Sequence, residues 1–392
     1  MESEPRKIID FSNRVYVAPL TTVGNLPFRR ILKDFGADIT CGEMALSQQL
    51  LQGQTSEWAL FRRHPCEDNY GVQVAGGFSN DMERLAALIE AHTETDFVDL
   101  NCGCPIDLVN GKGAGCQLMN KPKRLYDIVR VMMRRMPSRP MTVKMRTGWS
   151  SSEPCAHIIV PELQKLSLSA AGGGRPGLAA IFIHGRSRQQ RYKSLANWQY
   201  VAEAAKAQDP TIPLVPIIGN GDILTWDDWN SHKHLMATAL EDDHAEQLGL
   251  CNCAMIGRGA LMKPWLPKEI KDGATYDISA TERLEMLQRY VNYGLEHWGS
   301  DQQGVDNTRR FLLEWLSYLC RYVPAGITTE PQKMTERPPV YIGRSDTETL
   351  LSSVHAKDWI KISEMFLGPV KEGFHFTEKH KSSSYQADNA EG

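Results

Sequence analysis

The residues best suited to chemistry lie at 97–105, where the chain reads FVDLNCGCP. An apolar run there ends in an amide and two thiols, Asn101, Cys102 and Cys104. A cysteine with an ordinary pKa of about 8.5 is mostly protonated at neutral pH, so a positioned thiol can act as a general acid. Cys104 follows the end of the predicted strand and precedes a proline, where a loop can hold its thiol over a substrate. We therefore predict that Cys104 is a catalytic proton donor.

The elements that must position these residues are eight short apolar runs rich in β-branched residues. The runs lie at 15–20, 38–44, 70–76, 97–103, 141–148, 179–186, 214–221 and 253–260. Helical patterns lie between several of them, at 26–36, 81–92, 125–136 and 198–208. Alternating strands and helices predict a parallel sheet, and eight such units over about 250 residues match a TIM barrel. We predict an α/β fold, a (β/α)8 TIM barrel followed by a small C-terminal helical bundle.

Six of the eight runs carry unusual polar side chains at their carboxyl ends. These are Gln73, Asn101 with Cys104, Lys144 with Arg146, His184 with Arg186, Asn220, and Arg258. The active site of a TIM barrel is built at this end of the strands, so we expect these side chains to meet there. His184 could instead be a buried core histidine, but its place at the carboxyl end favours a functional role.

Glycines end the last two predicted strands, in IIGNGDI and MIGRGA, where TIM barrels commonly bind phosphate. Glycine lets backbone N–H groups approach an anion, and Arg258 can add charge-assisted hydrogen bonds. A flat cofactor with a phosphate tail also needs amides at its ring edge, here Gln73 and Asn101, and a cation, here Lys144. FMN fits this inventory better than a bound dinucleotide, because no GxGxxG turn opens a Rossmann unit. A nicotinamide dinucleotide can still visit as the reductant.

The residues alone are compatible with three different functions. An FMN-dependent barrel that acts on a free small molecule would use the same ring of side chains. A lyase or isomerase without flavin would use Lys144 to form a Schiff base with a sugar phosphate. An RNA-binding protein without catalysis is the third, although the intact Cys104 and Lys144 argue against it.

Two cysteines one residue apart also suggest a metal site as an alternative. Structural zinc sites need a full set of cysteine and histidine ligands in suitably spaced pairs, and no second pair with histidines stands at matching spacing here. The other C-x-C pair, Cys251 and Cys253, begins the last predicted strand, at the opposite end of the barrel. We predict buried thiols for that pair and no metal site in this chain.

Seven short motifs then follow one another along the chain. They are APLT at 18–21, QVAG at 73–76, DLNCGCP at 99–105, VKMRTGW at 143–149, IHGRSR at 183–188, GNGDI at 219–223 and IGRGA at 256–260. In this order they resemble the motifs of the tRNA-dihydrouridine synthases, and the resemblance covers nearly the whole chain. The segments APLTTVGNLPFRR, RFLLEWLSYLCRY, ERPPVYIGR and ISEMFLGP are similar to the eukaryotic branch that modifies the tRNA variable loop.

This resemblance implies a barrel that binds FMN, with NADPH as the reductant. It implies that hydride passes from flavin N5 to C6 of a uridine in tRNA and that Cys104 gives a proton to C5, which reduces the C5=C6 bond. By position, the residues implied to contact FMN are Pro19, Leu20, Thr21, Gln73, Lys144, His184, Asn220, Gly221, Asp222, Gly257 and Arg258. Asn101 is expected to orient the flavin or the substrate. Arg146, Arg186 and Arg188 are expected to bind the substrate, the last two through RNA phosphates at the mouth.

The domain organisation follows from where the strand patterns stop. We predict a lead-in over 1–14, the FMN-binding barrel over 15–274, a helical tRNA-binding domain over 275–376 and a disordered tail over 377–392. The helical patterns of the second domain lie at 281–299, 307–322 and 350–368. Residues predicted to form its core are Leu312, Trp315, Leu316 and Leu319, and those predicted to contact phosphate are Arg309, Arg310 and Arg321. Segments 169–178 and 241–247 are predicted to be surface insertions.

Composition limits the class of protein. The 392 residues are 42% hydrophobic, enough for more than one core, and the formal net charge of −3 excludes binding of nucleic acid by overall basicity alone. Nine scattered cysteines favour reduced thiols. We expect a cytoplasmic location with the nucleus as a second compartment, no membrane partner, tRNA as the main partner and mRNA as a second one. The eukaryotic branch usually carries CCCH zinc fingers before the barrel, and their absence predicts either a partial sequence or tRNA binding by the remaining domains.

Overall fold

The computed structural model describes residues 6–170, 177–239, 249–327, 333, 335–336 and 341–379. Eight parallel strands close into a barrel in sequence order, which confirms the predicted fold. They are β1 (Val15–Val17), β2 (Ile39–Leu46), β3 (Asn69–Ala75), β4 (Phe97–Cys102), β5 (Met141–Arg146), β6 (Leu178–His184), β7 (Ile217–Asn220) and β8 (Ala254–Ile256). Each strand lies largely within one of the predicted runs. Several strands end before the glycines that close those runs, where the chain turns away from the sheet.

Helices cover the outside of the barrel and continue after its last strand. The barrel helices are α1 (Leu26–Asp34), α2 (Ser47–Leu51), α3 (Thr55–Trp58), α4 (Ser79–His92), α5 (Asp107–Gly111), α6 (Pro122–Arg135), α7 (Ala156–Ser169), α8 (Trp198–Lys206), α9 (Trp226–Ala239), α10 (Arg258–Met262) and α11 (Leu266–Asp272). The four helical patterns predicted between strands correspond to α1, α4, α6 and α8. Two of these begin at side-chain caps, because Asn25 and Asn197 accept backbone N–H groups of α1 and α8.

Aromatic side chains fill the amino-terminal end of the barrel. The ring of Phe11, from the segment before β1, lies 5.6 Å from Phe182 and 6.1 Å from Phe97 between centroids. Tyr16 packs 5.1 Å from Phe182 and is fully buried. These apolar contacts close the floor of the barrel.

The C-terminal helices are α12 (Ala280–Trp298), α13 (Gln302–Leu319), α14 (Asp346–Leu351) and α15 (Ala356–Leu367). The four residues predicted as their core are buried, with exposures of 2% or less. Trp315 also joins this group to the barrel: its ring lies 5.2 Å from Phe28 of α1, and its Nε1 donates to the Leu261 carbonyl at 3.0 Å.

The prediction of one helix over 350–368 was wrong, because the chain breaks between α14 and α15. Trp359 Nε1 donates to the Ser353 carbonyl at 2.7 Å, and Ser353 Oγ donates to the Asp358 carboxylate at 2.6 Å. In a continuous helix the Ser353 carbonyl would accept a backbone N–H, whereas here it accepts the indole N–H of the buried Trp359.

Several predicted segments fall wholly or partly outside the described residues. They include most of the insertion at 169–178, all of the one at 241–247, the first five residues of the lead-in and the tail from 380. The tail was predicted to be disordered from 377, yet the Lys379 N–H donates to the carboxylate of buried Glu314 at 3.1 and 3.2 Å. No helix in the described ranges is both long enough and apolar enough to cross a membrane.

Candidate active site

A buried network of amides and a carboxylate joins β3, β4 and β5 at the carboxyl end. Gln73 Nε2 donates to Asp99 at 2.7 Å, and Gln73 Oε1 accepts from Asn101 Nδ2 at 2.8 Å. Thr142 Oγ1 donates to the other Asp99 oxygen at 2.6 Å. Burial raises the pKa of Asp99 to about 6, although the hydrogen bonds from Gln73 and Thr142 oppose the shift. The network leaves the Asn101 oxygen directed to a different partner.

That partner is the loop carrying Cys104. Asn101 Oδ1 accepts the backbone N–H of Gly103 at 3.0 Å and that of Cys104 at 2.8 Å. From β5, Arg146 Nε donates to the Gly103 carbonyl at 2.8 Å. The Cys104 thiol is half-buried, and burial raises its pKa, so it is protonated at neutral pH. The loop therefore holds a protonated thiol beside β4 and β5.

Three cations converge on the same end of the barrel. Lys144 Nζ has a long contact of 3.4 Å with Asn220 Oδ1, and burial lowers the pKa of this lysine. Burial also lowers the pKa of Arg258 to about 10, and Asp222 is 3.7 Å away. The third is Arg146, whose positive charge acts to lower the pKa of both Cys104 and Lys144. Cations desolvated in this way are stabilised by an anionic ligand.

His184 lies among these cations, as predicted for a residue at the end of β6. It is 7% exposed, and burial together with Arg146 and Arg186 holds its pKa well below its ordinary value. The imidazole is therefore neutral. Its Nε2 lies 3.2 Å from Arg186 Nη1, which can only donate, so Nε2 accepts and Nδ1 carries the ring proton.

The turn after β7 adopts left-handed backbone at two successive residues. Gly221 has a φ of 126° and Asp222 a φ of 53°. A Cβ at Gly221 would lie 2.7 Å from the Ala196 Cβ, so only glycine fits without strain. The Asp222 carboxylate accepts Arg186 Nη2 at 2.6 Å and the Ala196 N–H at 2.7 Å. The Gly221 carbonyl accepts Trp198 Nε1 at 3.0 Å, and the Asp222 carbonyl lies 3.2 Å from His232 Nε2. The groups that this turn can offer a ligand are therefore its backbone N–H groups.

Open space lies above the neighbouring turn at the end of β8. Asn220 pairs with Met255 in the sheet and donates to its carbonyl at 2.9 Å, so the two glycine turns lie side by side. A Cβ added to Gly257 would meet only Leu20 Cδ2, at 3.9 Å. A cradle with such room, next to Arg258, fits the phosphate of a flavin. Among the residues predicted after β1, Pro19 and Leu20 are half-buried and Thr21 is exposed.

The structure corrects the sequence-based placement of several arginines. Arg186 was expected at the mouth but is 1% exposed, and its guanidinium pairs with Asp222, so it is not placed to contact RNA phosphate. Arg309 and Arg321 were predicted to contact phosphate, but both are buried and donate to backbone carbonyls of the C-terminal region. Arg188 lies nearer the surface: it pairs with Asp107 and stacks 4.1 Å over the Trp149 ring. Arg310 is exposed, and its phosphate contact stays a prediction.

The other members of the two C-x-C pairs do not extend the site. Cys102 is fully buried within β4, and Cys253 is fully buried at the start of β8, while Cys251 is half-buried. In the described ranges, no group of three or more His, Cys, Asp or Glu side chains could hold a metal ion.

Sequence reasoning missed Asp99 and Tyr192. Asp99 could have been found, because residues two apart on a strand share a face and Asn101 already faced the site. Tyr192 lies in the loop after β6, where no periodicity places a side chain, yet Arg258 stacks 3.7 Å from its ring centroid. Burial opposes ionisation of its phenol, but Arg258, Arg146 and other cations nearby lower its pKa overall.

Known proteins match this architecture. The family described as Dihydrouridine synthase (Dus) matches residues 16–321. The rat protein named tRNA-dihydrouridine(47) synthase [NAD(P)(+)]-like is 52% identical over 382 residues, which cover 97% of this chain and 55% of that protein. The Cryptococcus neoformans tRNA-dihydrouridine(47) synthase [NAD(P)(+)] is 46% identical over 100% of this chain and 52% of its own length.

The chain thus spans about half the length of the curated relatives it matches. Among solved structures, the old yellow enzyme from Trypanosoma cruzi aligns with 76% of this chain and 97% of its own at 11% identity and a TM-score of 0.45, a likeness too low to support an argument. The family match covers most of the barrel and continues to the end of α13, and it includes every strand-end residue described above. This chain belongs to the dihydrouridine synthase family.

Proposed function

We propose that this protein reduces the C5=C6 bond of a uridine in tRNA, using FMN as the bound cofactor and NADPH as the reductant. The observation that carries the proposal is the half-buried thiol of Cys104, whose backbone N–H donates to Asn101 at 2.8 Å beside a group of amides and buried cations. The relatives named for this reaction at position 47 of tRNA support it, and we propose the same uridine here.

The residues at the mouth fit FMN in both charge and shape. Gln73 and Asn101 present buried amides, and Lys144 presents a cation with a single long contact to Asn220. The turns at the ends of β7 and β8, with Arg258, would hold the phosphate. Bound FMN supplies hydride transfer.

Cys104 and its supports provide the complementary half of the reaction. Addition of hydride at C6 of uracil leaves negative charge near C5, so a proton donor must stand on the other face of the ring. Cys104 Sγ holds that proton at neutral pH because burial raises the thiol pKa. Asn101 and Arg146 fix the loop backbone on either side of Gly103, which sets the position of the thiol.

The substrate must leave its stack to reach this site. The polar residues lie at the strand ends inside the barrel mouth, so a uridine in folded tRNA has to be extruded, at a cost of roughly a few kcal/mol. Loss of the planar ring on reduction would weaken restacking of the product.

An anaerobic experiment tests the proposal. The purified protein is reduced with NADPH, unmodified tRNA is added, and flavin absorbance and dihydrouridine are measured together. We expect the tRNA to reoxidise the flavin as dihydrouridine forms at position 47. A yellow protein whose flavin reacts with NADPH but not with tRNA would instead support an FMN-dependent oxidoreductase acting on a small molecule. A colourless protein would contradict both.

A further inference from the structure

A groove lies beside the catalytic loop, on the β3 and β4 side of the barrel mouth. It is open and shallow, and its enclosed volume of about 10 Å³ is about what a single water molecule needs. Its lining comes from the ends of β2 and β3 and from the loop that follows Cys104: Leu46, Ser47, Gln48, Ala75, Gly76, Gly77, Phe78, Lys112 and Ala114. A ligand ring would therefore lie on the exposed wall of this groove and would not be enclosed by it.

The glycines of the groove bring its walls together. A Cβ at Gly77 would lie 2.5 Å from the Lys112 carbonyl, and one at Gly76 would lie 2.5 Å from Ser47 Oγ. The loop after β3 therefore touches both the end of β2 and the loop that carries Cys104. Ala114 and Cys104 belong to the same small apolar cluster. The groove is thus continuous with the catalytic loop.

An exposed aromatic ring forms one wall. Phe78, just before α4, is 49% exposed. The Arg124 guanidinium lies 5.4 Å from its ring centroid, a cation–π contact that holds the ring in place. A ring fixed in this way, with much of its surface open, offers a stacking surface for a planar base.

Positive charge surrounds the ring. Lys112, Lys121, Lys123 and Arg124 are half-buried or exposed, and none of them forms a salt bridge within the described residues. The basic residues at the other end of α6 differ, because Arg134 and Arg135 both pair with Glu83. The α4 and α6 helices, each of 14 residues, also begin here without a side-chain cap. Their amino-terminal dipoles add to the attraction for phosphate.

We propose that this groove, the Phe78 groove, binds a nucleotide of the substrate RNA that flanks the extruded uridine, with its base on Phe78 and its phosphates on Lys112 and Arg124. Charge complementarity and the exposed ring select RNA as the occupant. The inference deepens the proposed function and rests on it. The C-terminal helices pack on α1 and on the end of α10, beside β1 and β8. The groove would therefore give the RNA a second contact, away from that region.

Binding of unmodified tRNA by the FMN-loaded protein tests the proposal. We expect Phe78→Ala to raise the Kd about tenfold, the size expected from loss of one stacked base. Phe78→Trp keeps an aromatic face and should bind nearly as the parent does. Lys112→Ala and Arg124→Ala should each reduce the slope of log Kd against log salt by about 0.7 to 0.9.

Arg134→Ala is the matched control, because it removes a charge from the same helix about 15 Å further along its axis. Thermal melts and flavin content establish that each variant is folded. Parental Kd for Phe78→Ala and unchanged salt slopes for the two charge variants would overturn the proposal. So would a rise in the KM for NADPH with an unchanged Kd for tRNA, because the groove would then serve the reductant. Dihydrouridine formation by the parent reports separately on the proposed function.

Discussion

The Asn101 side chain connects Gln73 of β3 to the loop that carries Cys104. Its Nδ2 donates to Gln73 Oε1 at 2.8 Å, while its Oδ1 accepts the Cys104 N–H, also at 2.8 Å. Because one planar amide makes both contacts, the position of the thiol depends on the orientation of Gln73. The position of the Cys104 thiol is therefore coupled to that of Gln73, against which we expect the flavin to lie.

This coupling predicts different effects for two substitutions of Asn101. Asn101→Ala removes the acceptor for the Gly103 and Cys104 N–H groups and should lower the rate of tRNA reduction about tenfold or more, since an unsatisfied buried group costs about 1–3 kcal/mol. Asn101→Asp keeps the acceptor but loses the donor to Gln73, so it should retain more of this rate. Rapid mixing of reduced enzyme with tRNA measures both. Equal rates in the two variants would mean that the loop does not depend on this acceptor.

The raised pKa of the Cys104 thiol predicts where activity is lost at high pH. Burial favours the neutral form, so the thiol should stay protonated, and tRNA reduction should continue, beyond the ordinary cysteine pKa of about 8.5. The rate of flavin reoxidation by tRNA, measured from about pH 6 to about pH 10, shows where the thiol loses its proton. A decline centred near pH 7 would contradict the assignment.

Removal of the same thiol separates the two half-reactions. Cys104→Ala should slow tRNA reduction by about 100- to 10,000-fold, the usual contribution of a general acid, and leave flavin binding and NADPH oxidation nearly unchanged. Cys102→Ala is the control, because that thiol is fully buried in β4. Reduction of tRNA by Cys104→Ala at the parental rate would exclude Cys104 as the acid.

Two glycines of the proposed phosphate cradle should respond differently to alanine. Gly221→Ala places a Cβ 2.7 Å from Ala196 at a φ of 126°, so it should lower thermal stability as well as flavin affinity. Gly257→Ala meets only Leu20 Cδ2, at 3.9 Å, so its main effect should be to occupy space expected for the phosphate. Titration with FMN, followed by fluorescence, and thermal melts separate these effects. Parental FMN affinity in Gly257→Ala would place the phosphate elsewhere.

The buried Asp99 carboxylate predicts a dependence of stability on pH. Its pKa rises from 3.8 to about 6 on folding, so the folded state binds the proton more tightly than the unfolded chain does. The stability contributed by this group is present below pH 3.8 and is lost as pH rises through about 6. Relative to Asp99→Asn, the parent should therefore lose up to roughly 3 kcal/mol of unfolding free energy between pH 4 and pH 7. Urea denaturation of both proteins at each pH measures the difference, and a constant difference would contradict the shift.

Much of the barrel and part of its site could be predicted from local patterns. Strand positions followed from short β-branched runs, and the polar end followed from residues such as Lys144 and His184 at the carboxyl termini of those runs. Strand positions and strand ends depend on residues close together in the sequence, because the alternation of side chains along a strand and the turn that follows it each involve only a few residues.

Tertiary contacts decided the rest. Arg186 could not be recognised as buried until β7 brought Asp222 to it, and the bend after α14 depended on a partner for Trp359. The raised pKa of Asp99 and the stacking of Arg258 on Tyr192 likewise arise between residues distant in sequence. The amino-acid sequence by itself determined which elements form and which side chains can do chemistry. Only the folded chain decided which of those side chains are desolvated, paired or open to a ligand, because these properties depend on neighbours that the fold brings together.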